Sequence, residues 1–123
     1  MKFTELELKI LKILWSLQNR ATVQQVLDNW EEKETPKYTT VLKTLQIMEQ
    51  KGIIRHEKNG RSYDYIPKVS REKATGTSLG NLISTFFSGS RIALAETLIN
   101  KSDYTRAELR EIKKMIEQKE KQL

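Results

Sequence analysis

The side chains best placed for chemistry in this chain are hydrogen-bond donors, not nucleophiles. Lys37, Tyr38, Thr39, Thr40 and Lys43 crowd the start of the segment YTTVLKTLQIMEQKG and the residue before it. Lys58 and Arg61 flank an Asn59-Gly60 step in the following segment, IIRHEKNGRSYDYIP. Thr and Lys at a helix start can bond phosphates and reach base edges in a major groove. A solvated helix face is the commoner meaning of such a stripe taken alone. Catalysis lacks its parts. The one histidine, His56, falls on the expected core-side face of a strand, as a packed or hydrogen-bonded structural residue. Zero cysteines exclude disulfides and thiolate metal sites, and no phosphate-cradling glycine loop is present. Carboxylates between Glu108 and Glu120 alternate with Lys and Arg as solvated i,i+4 pairs. No catalytic residue, metal or cofactor is expected.

The elements that must hold these donors are legible in order. Thr4-Glu5-Leu6-Glu7 is a capping box opening a first helix that runs to about Gln18. Leu6, Ile10, Ile13, Leu14 and Leu17 share one face of it; Leu8, Leu11 and Trp15 form a second stripe. The second stripe calls for its own cover, from a later helix or from another chain, unless both stripes share one tight single-domain core. Thr22 to Gln25 repeats the box before a short amphipathic helix with Val23, Val26, Leu27 and Trp30. A polar turn, Glu31 to Thr35, and Pro36 precede a third helix, Tyr38 to Lys51, stopped by Gly52. Val41, Leu42, Leu45 and Met48 point inward there; Thr39, Thr40, Lys43, Gln46 and Gln50 point outward. Ile47 also lies toward the outer arc, where a thymine methyl, a partner chain or plain solvent could meet it. Asn59-Gly60 then predicts a hairpin with a two-residue type I′ turn. That register pairs Lys58 with Arg61, His56 with Tyr63, Arg55 with Asp64 and Ile54 with Tyr65. Two like charges facing each other at the tip call for an anion between them. Helix, helix, helix and basic hairpin is the order of a winged helix-turn-helix.

Charge sharpens the location. The formal net charge is +6 and the isoelectric point about 9.6. Residues 1–34 carry five Lys/Arg against six Asp/Glu, residues 35–70 seven against three, and residues 71–123 ten against seven. The positive balance is densest on the third helix and the hairpin, which favours a polyanionic partner. With 37% apolar residues and a mean hydropathy of −0.61, the composition suits a folded, charged, helix-rich protein. No apolar run reaches membrane-spanning length, so no membrane insertion is expected. The start MKFTELELK lacks a signal-peptide core, which points to the cytoplasm.

From Ser70 the pattern turns wholly helical. Ser70 is an N-cap candidate, and ATGTSLG within the next helix is a poor helix former. Leu79, Leu82, Ile83, Phe86 and Phe87 make an apolar surface that Ser88-Gly89-Ser90 interrupts. Ile92, Leu94, Ala95, Leu98 and Ile99 follow on a short helix. Thr105 to Glu108 is a third capping box, before Leu109, Ile112 and Ile116. Three short helices this apolar cannot bury themselves as a small separate unit. Intertwining with a second copy is the economical cover, through Leu79, Leu82, Ile83, Phe86, Phe87, Ile92, Leu98, Leu109 and Ile112; packing back on the first helix is the other.

The element order, the YTTVLKTLQIMEQKG and GRSYDYIP segments, LKILW in the first helix and ATVQQVL in the second resemble the BlaI/MecI/CopY family of bacterial repressors. The resemblance covers nearly the whole chain and is most specific over the first 70 residues. It implies a homodimeric repressor whose winged helices bind a dyad-symmetric, double-stranded operator. The copper-responsive branch carries paired cysteines that this chain lacks. In the penicillinase branch, induction involves cleavage at an Asn-Phe bond in the dimerisation region, triggered by a membrane-bound sensor metalloprotease. Thr97-Leu98 stands at the matching place, so that motif is not kept, although the protease stays a candidate partner.

The expected architecture is therefore mainly α with a small β-hairpin. A winged helix-turn-helix spans residues 1–69 and a helical dimerisation region residues 70–123. Groove contacts fall to Thr39, Thr40 and Lys43, and backbone contacts to Lys37, Tyr38, Lys58 and Arg61. The competing expectation is a winged-helix protein–protein adaptor, which would show an exposed apolar patch on the third helix.

Overall fold

A computed structural model describes residues 2–123. Helix α1 (Glu5–Ser16) begins at the expected capping box: the Thr4 hydroxyl accepts from the Glu7 amide, and the Glu7 carboxylate accepts from the Thr4 amide at 2.8 Å. It ends two residues short of the expected Gln18. Gln18 and Asn19 both take positive φ, and the Asn19 amide closes on the Leu14 carbonyl. Helix α2 (Val23–Asp28) opens on the Thr22–Gln25 box and stops at Asn29, before Trp30. Helix α3 (Tyr38–Gln50) terminates in a Schellman motif: Gly52, at φ 78°, lets its own amide reach the Glu49 carbonyl and the Ile53 amide reach Met48.

Strands β1 (Ile54–Asn59) and β2 (Ser62–Pro67) form the antiparallel hairpin, in a register two residues away from the expected one. Gly60 and Arg61 are the central turn residues; only Gly60 has positive φ, the pattern of a type II′ rather than a type I′ turn. Ile54 pairs with Pro67, His56 with Tyr65, Glu57 with Asp64 and Lys58 with Tyr63. Lys58 and Arg61 therefore do not face each other, and the expected tip repulsion is absent. A two-residue slip leaves every side chain on its expected face, because the side-chain period of a strand is two.

These elements close over one core: Ile10, Leu11, Ile13 and Leu14 from α1, Val23 and Val26 from α2, Val41, Leu45 and Met48 from α3, with Ile53, Ile54 and Tyr65 from the hairpin side. The second stripe of α1 is covered by this same chain. Leu11 is fully buried, Val69 and Ala74 join the cluster, and the Trp15 indole donates to the Val69 carbonyl at 3.1 Å. The Arg71 guanidinium lies over the same indole, 5.4 Å from its centroid.

Helix α4 (Arg71–Phe87) starts on Ser70, whose hydroxyl accepts from the Lys73 amide, and runs unbroken through ATGTSLG. Burial of Ala74 and Ile83 along it outweighs the poor local propensity. By its contacts the described chain divides at Asn81/Leu82. Beyond that point lie the end of α4, α5 (Arg91–Lys101) and α6 (Arg106–Lys121), with Ser90 and the Thr105–Glu108 box as caps. The Thr105 backbone amide and hydroxyl hold the Glu108 carboxyl below its ordinary range. No residue of α5 or α6 is buried, and Phe86 and Ile92 are 73% and 81% exposed. Among the described residues no single helix is long and apolar enough to cross a membrane.

One buried charge ties the first unit together. Glu7 is 1% exposed, and besides capping α1 it receives the Lys51 ammonium at 3.0 and 3.1 Å, fixing the last turn of α3 to the first turn of α1. Lys51→Met strands that carboxylate with the Thr4 amide as its remaining partner. We expect a loss of about 1–3 kcal/mol in urea unfolding at fixed protein concentration. Lys58→Met, on an exposed unpaired lysine, should stay within about 0.5 kcal/mol of the parent. Equal small losses would show that Glu7 does not need Lys51.

Candidate nucleic-acid interface

The outer face of α3 is built by what its inner face buries. Val41, Leu45 and Met48 are fully buried and Leu42 half-buried, which turns Thr39, Thr40, Lys43, Gln46, Ile47 and Gln50 to solvent. Lys37 is the N-cap and offers no side-chain cap, so the Tyr38 and Thr39 amides that open α3 are uncapped, while those of Thr40 and Val41 bond the Lys37 carbonyl. Free amides and an aligned helix dipole there favour an anion. The one carboxylate on this helix, Glu49, is drawn aside: its Oε1 shares a hydrogen bond with His56 Nδ1 on β1.

His56 is a hydrogen-bonded structural residue, as one of its two expected roles had it, held by Glu49 rather than packed in the core. It lies on the expected face with Ile54 and Tyr65, but that face passes from core to solvent along the hairpin, and the His56 side chain is 44% exposed. It meets Tyr63 edge-on with ring centroids 5.3 Å apart and Tyr65 at 6.1 Å. Gln46, Glu49, His56, Tyr63 and Tyr65 line a small cleft between α3 and the hairpin. Burial pushes the Tyr65 phenol above its ordinary range.

The opposite face of the hairpin carries a brace that sequence reading missed. The new register sets Glu57 directly across from Asp64, two like charges that would push the strands apart. Arg20, delivered by the positive-φ turn after α1, bonds both. Asp64 is 4% exposed and also accepts from the Asn59 side chain at 3.1 Å. The expected Arg55–Asp64 cross-strand pair does not form; Arg55 bonds Glu57 along its own strand. That bond, aided by the Arg20 charge, holds the Glu57 carboxyl below its usual range against some desolvation. Beside the brace, Ala21 and Tyr65 exchange backbone hydrogen bonds of 3.2 and 2.7 Å, so the α1–α2 loop adds a third backbone to the sheet. No local pattern marks Arg20 as the partner of a residue 44 positions away.

The cations that brace the core and the wing are paired, and those at the outer face of α3 and at the wing tip are not. Lys9, Lys12, Arg20, Lys51 and Arg55 all sit in ion pairs. Lys37, Lys43, Lys58 and Arg61 are exposed and, among the described residues, make none.

Three packed helices with a braced basic hairpin behind the third define the winged helix-turn-helix class of DNA-binding proteins, followed here by C-terminal helices. The penicillinase repressor family model matches residues 3–118, and the chain belongs to that family. It is similar to the penicillinase repressor of Bacillus licheniformis, at 18% identity over 117 residues, 95% of this chain and 91% of the relative. The family consists of transcriptional regulators, not enzymes, and membership makes this chain a DNA-binding transcriptional repressor.

If Arg20 braces the wing without touching DNA, Arg20→Ala should lower duplex affinity several-fold and leave its salt dependence unchanged. Hydrogen exchange of the β1 and β2 amides should quicken, reflecting about 1 kcal/mol of lost wing stability. A shallower salt dependence would instead put Arg20 on the phosphates.

Proposed function

We propose that two copies of this chain bind one dyad-symmetric operator, each laying α3 in a major groove and its wing along the neighbouring backbone. The observation that carries this is the set of unpaired, exposed cations at both ends of one surface. Lys37 caps α3, Lys43 lies on it and Lys58 and Arg61 sit at the wing, with the local carboxylates engaged elsewhere. Thr39, Thr40 and Lys43 are assigned to the groove; Lys37, Tyr38, Lys58 and Arg61 to phosphates. Two α3 helices spaced about 34 Å apart, or a multiple of that, would enter grooves on one side of the duplex.

Residues 1–69 read DNA in this proposal and residues 70–123 join the copies. Leu79, Leu82, Phe86, Ile92, Leu98 and Leu109 are all exposed, too much apolar surface for helices this short to leave in water. Ile83 is buried and Phe87 and Ile112 half-buried, so these three would support the joining surface from beneath. The Thr97–Leu98 bond lies inside α5, where the Thr97 hydroxyl donates to the Ala93 carbonyl. A membrane-bound sensor metalloprotease acting there would first have to open that helix. The adaptor alternative finds little footing on α3. Its exposed large apolar residues, Tyr38 and Ile47, stand about 13 Å apart along the axis and form no contiguous patch.

Fluorescence anisotropy on duplexes drawn from the DNA upstream of the chain's own gene tests the reading. Arg61→Ala should weaken binding to all sequences and reduce the salt slope by about one unit. Lys43→Ala should change the ranking among operator variants by about 1–3 kcal/mol at one position. Absence of any salt-sensitive, sequence-preferring binding at sub-micromolar protein would sink the repressor reading and favour the adaptor. Phe86→Glu should convert a dimer to a monomer in sedimentation at micromolar concentration; an unchanged mass would remove this face from the joining surface.

A further inference from the structure

Ile47 is 40% exposed on the polar face of α3, one turn past Lys43 and two past Thr40. An isolated exposed aliphatic residue is ordinary on a protein surface; its position here is not. Its exposed neighbours on that face are Lys43, Gln46 and Gln50, all hydrogen-bond donors, and the helix's one acid is held away by His56. Ile47 does not line the cleft beneath the wing, so the hairpin does not cover it. A β-branched side chain also carries a helix-propensity cost that Lys or Gln would avoid. If α3 lies in a major groove, Ile47 reaches the floor about 6 Å beyond Lys43, one or two base pairs further along. Among the four natural bases, the apolar group displayed on that floor is the C5-methyl of thymine.

We propose that Ile47 is a specificity-determining residue that reads a thymine methyl in each half-site, beside the base contacted by Lys43. The proposal rests on the operator-binding reading above. Its probe is a duplex selected by the full-length chain from a random pool, remade with each thymine replaced singly by deoxyuridine, which removes the methyl and keeps every hydrogen bond. The parent chain should lose about four-fold in affinity at one thymine per half-site, the worth of one buried methyl. Ile47→Ala should bind the parent duplex more weakly and be indifferent to that replacement; Ile47→Val should keep most of the discrimination. Unchanged thermal unfolding of both variants would confirm that the helix is intact, and a variant that unfolds early passes the test to the other. Tight binding with no uracil-sensitive thymine, or equal sensitivity in Ile47→Ala, overturns the inference and leaves the repressor reading standing. Failure to select any duplex overturns both.

Discussion

A two-stranded hairpin is at best marginally stable in water, and the surface proposed to face DNA depends on the contact that overcomes this. The Ala21–Tyr65 backbone bridge gives β2 a second neighbour, and Arg20 next to it bridges the opposed Glu57 and Asp64 carboxylates, with Arg55 as the second cation on Glu57. Asp64 is almost fully buried, so its charge without Arg20 and Asn59 would be costly. The brace is anchored in turn by the α1–α2 connection, whose two positive-φ residues aim Arg20 at the sheet. The wing's position is thus set by the helical core.

The two ends of α3 are treated in opposite ways. Its C-terminus is closed by the Schellman hydrogen bonds and by Lys51 on Glu7, and its Glu49 is held by the wing. Its N-terminus has no capping side chain and keeps its donors available. Stability is concentrated where DNA is absent from the proposed interface, and unsatisfied hydrogen-bonding capacity where DNA would lie.

Much of this was legible from residues because it is local. All three capping boxes, the Ser70 cap, the Gly52 stop and the inward set of α3 depend on neighbours within a few positions. The hairpin register was not, because Asn59-Gly60 fits a type I′ turn and Gly60-Arg61 fits a type II′ turn, and both put the same side chains on the same faces. The slip nonetheless decided which charges oppose each other, and therefore that Arg20 is needed. The exposure of His56 was hidden for a related reason: alternation tells which face a residue occupies and not where along the strand the core ends. The cover over Trp15 was open from sequence, since Val69 and Arg71 come from far along the chain. The proposed DNA contacts were readable as a pattern of donors; that they stay unpaired while Lys51 and Arg55 do not is a tertiary fact.

Glu7 has a consequence for how this sequence can change. Its carboxylate accepts from the Thr4 amide, which demands an acceptor, and from Lys51, which demands an anion. Glutamine could serve the first and only part of the second; lysine at position 7 with glutamate at 51 would satisfy the charge and lose the cap. The position is therefore held by two requirements that few side chains meet together. Variation at the start of the chain is constrained by the last turn of the helix proposed to face DNA, although neither residue is assigned a contact with it.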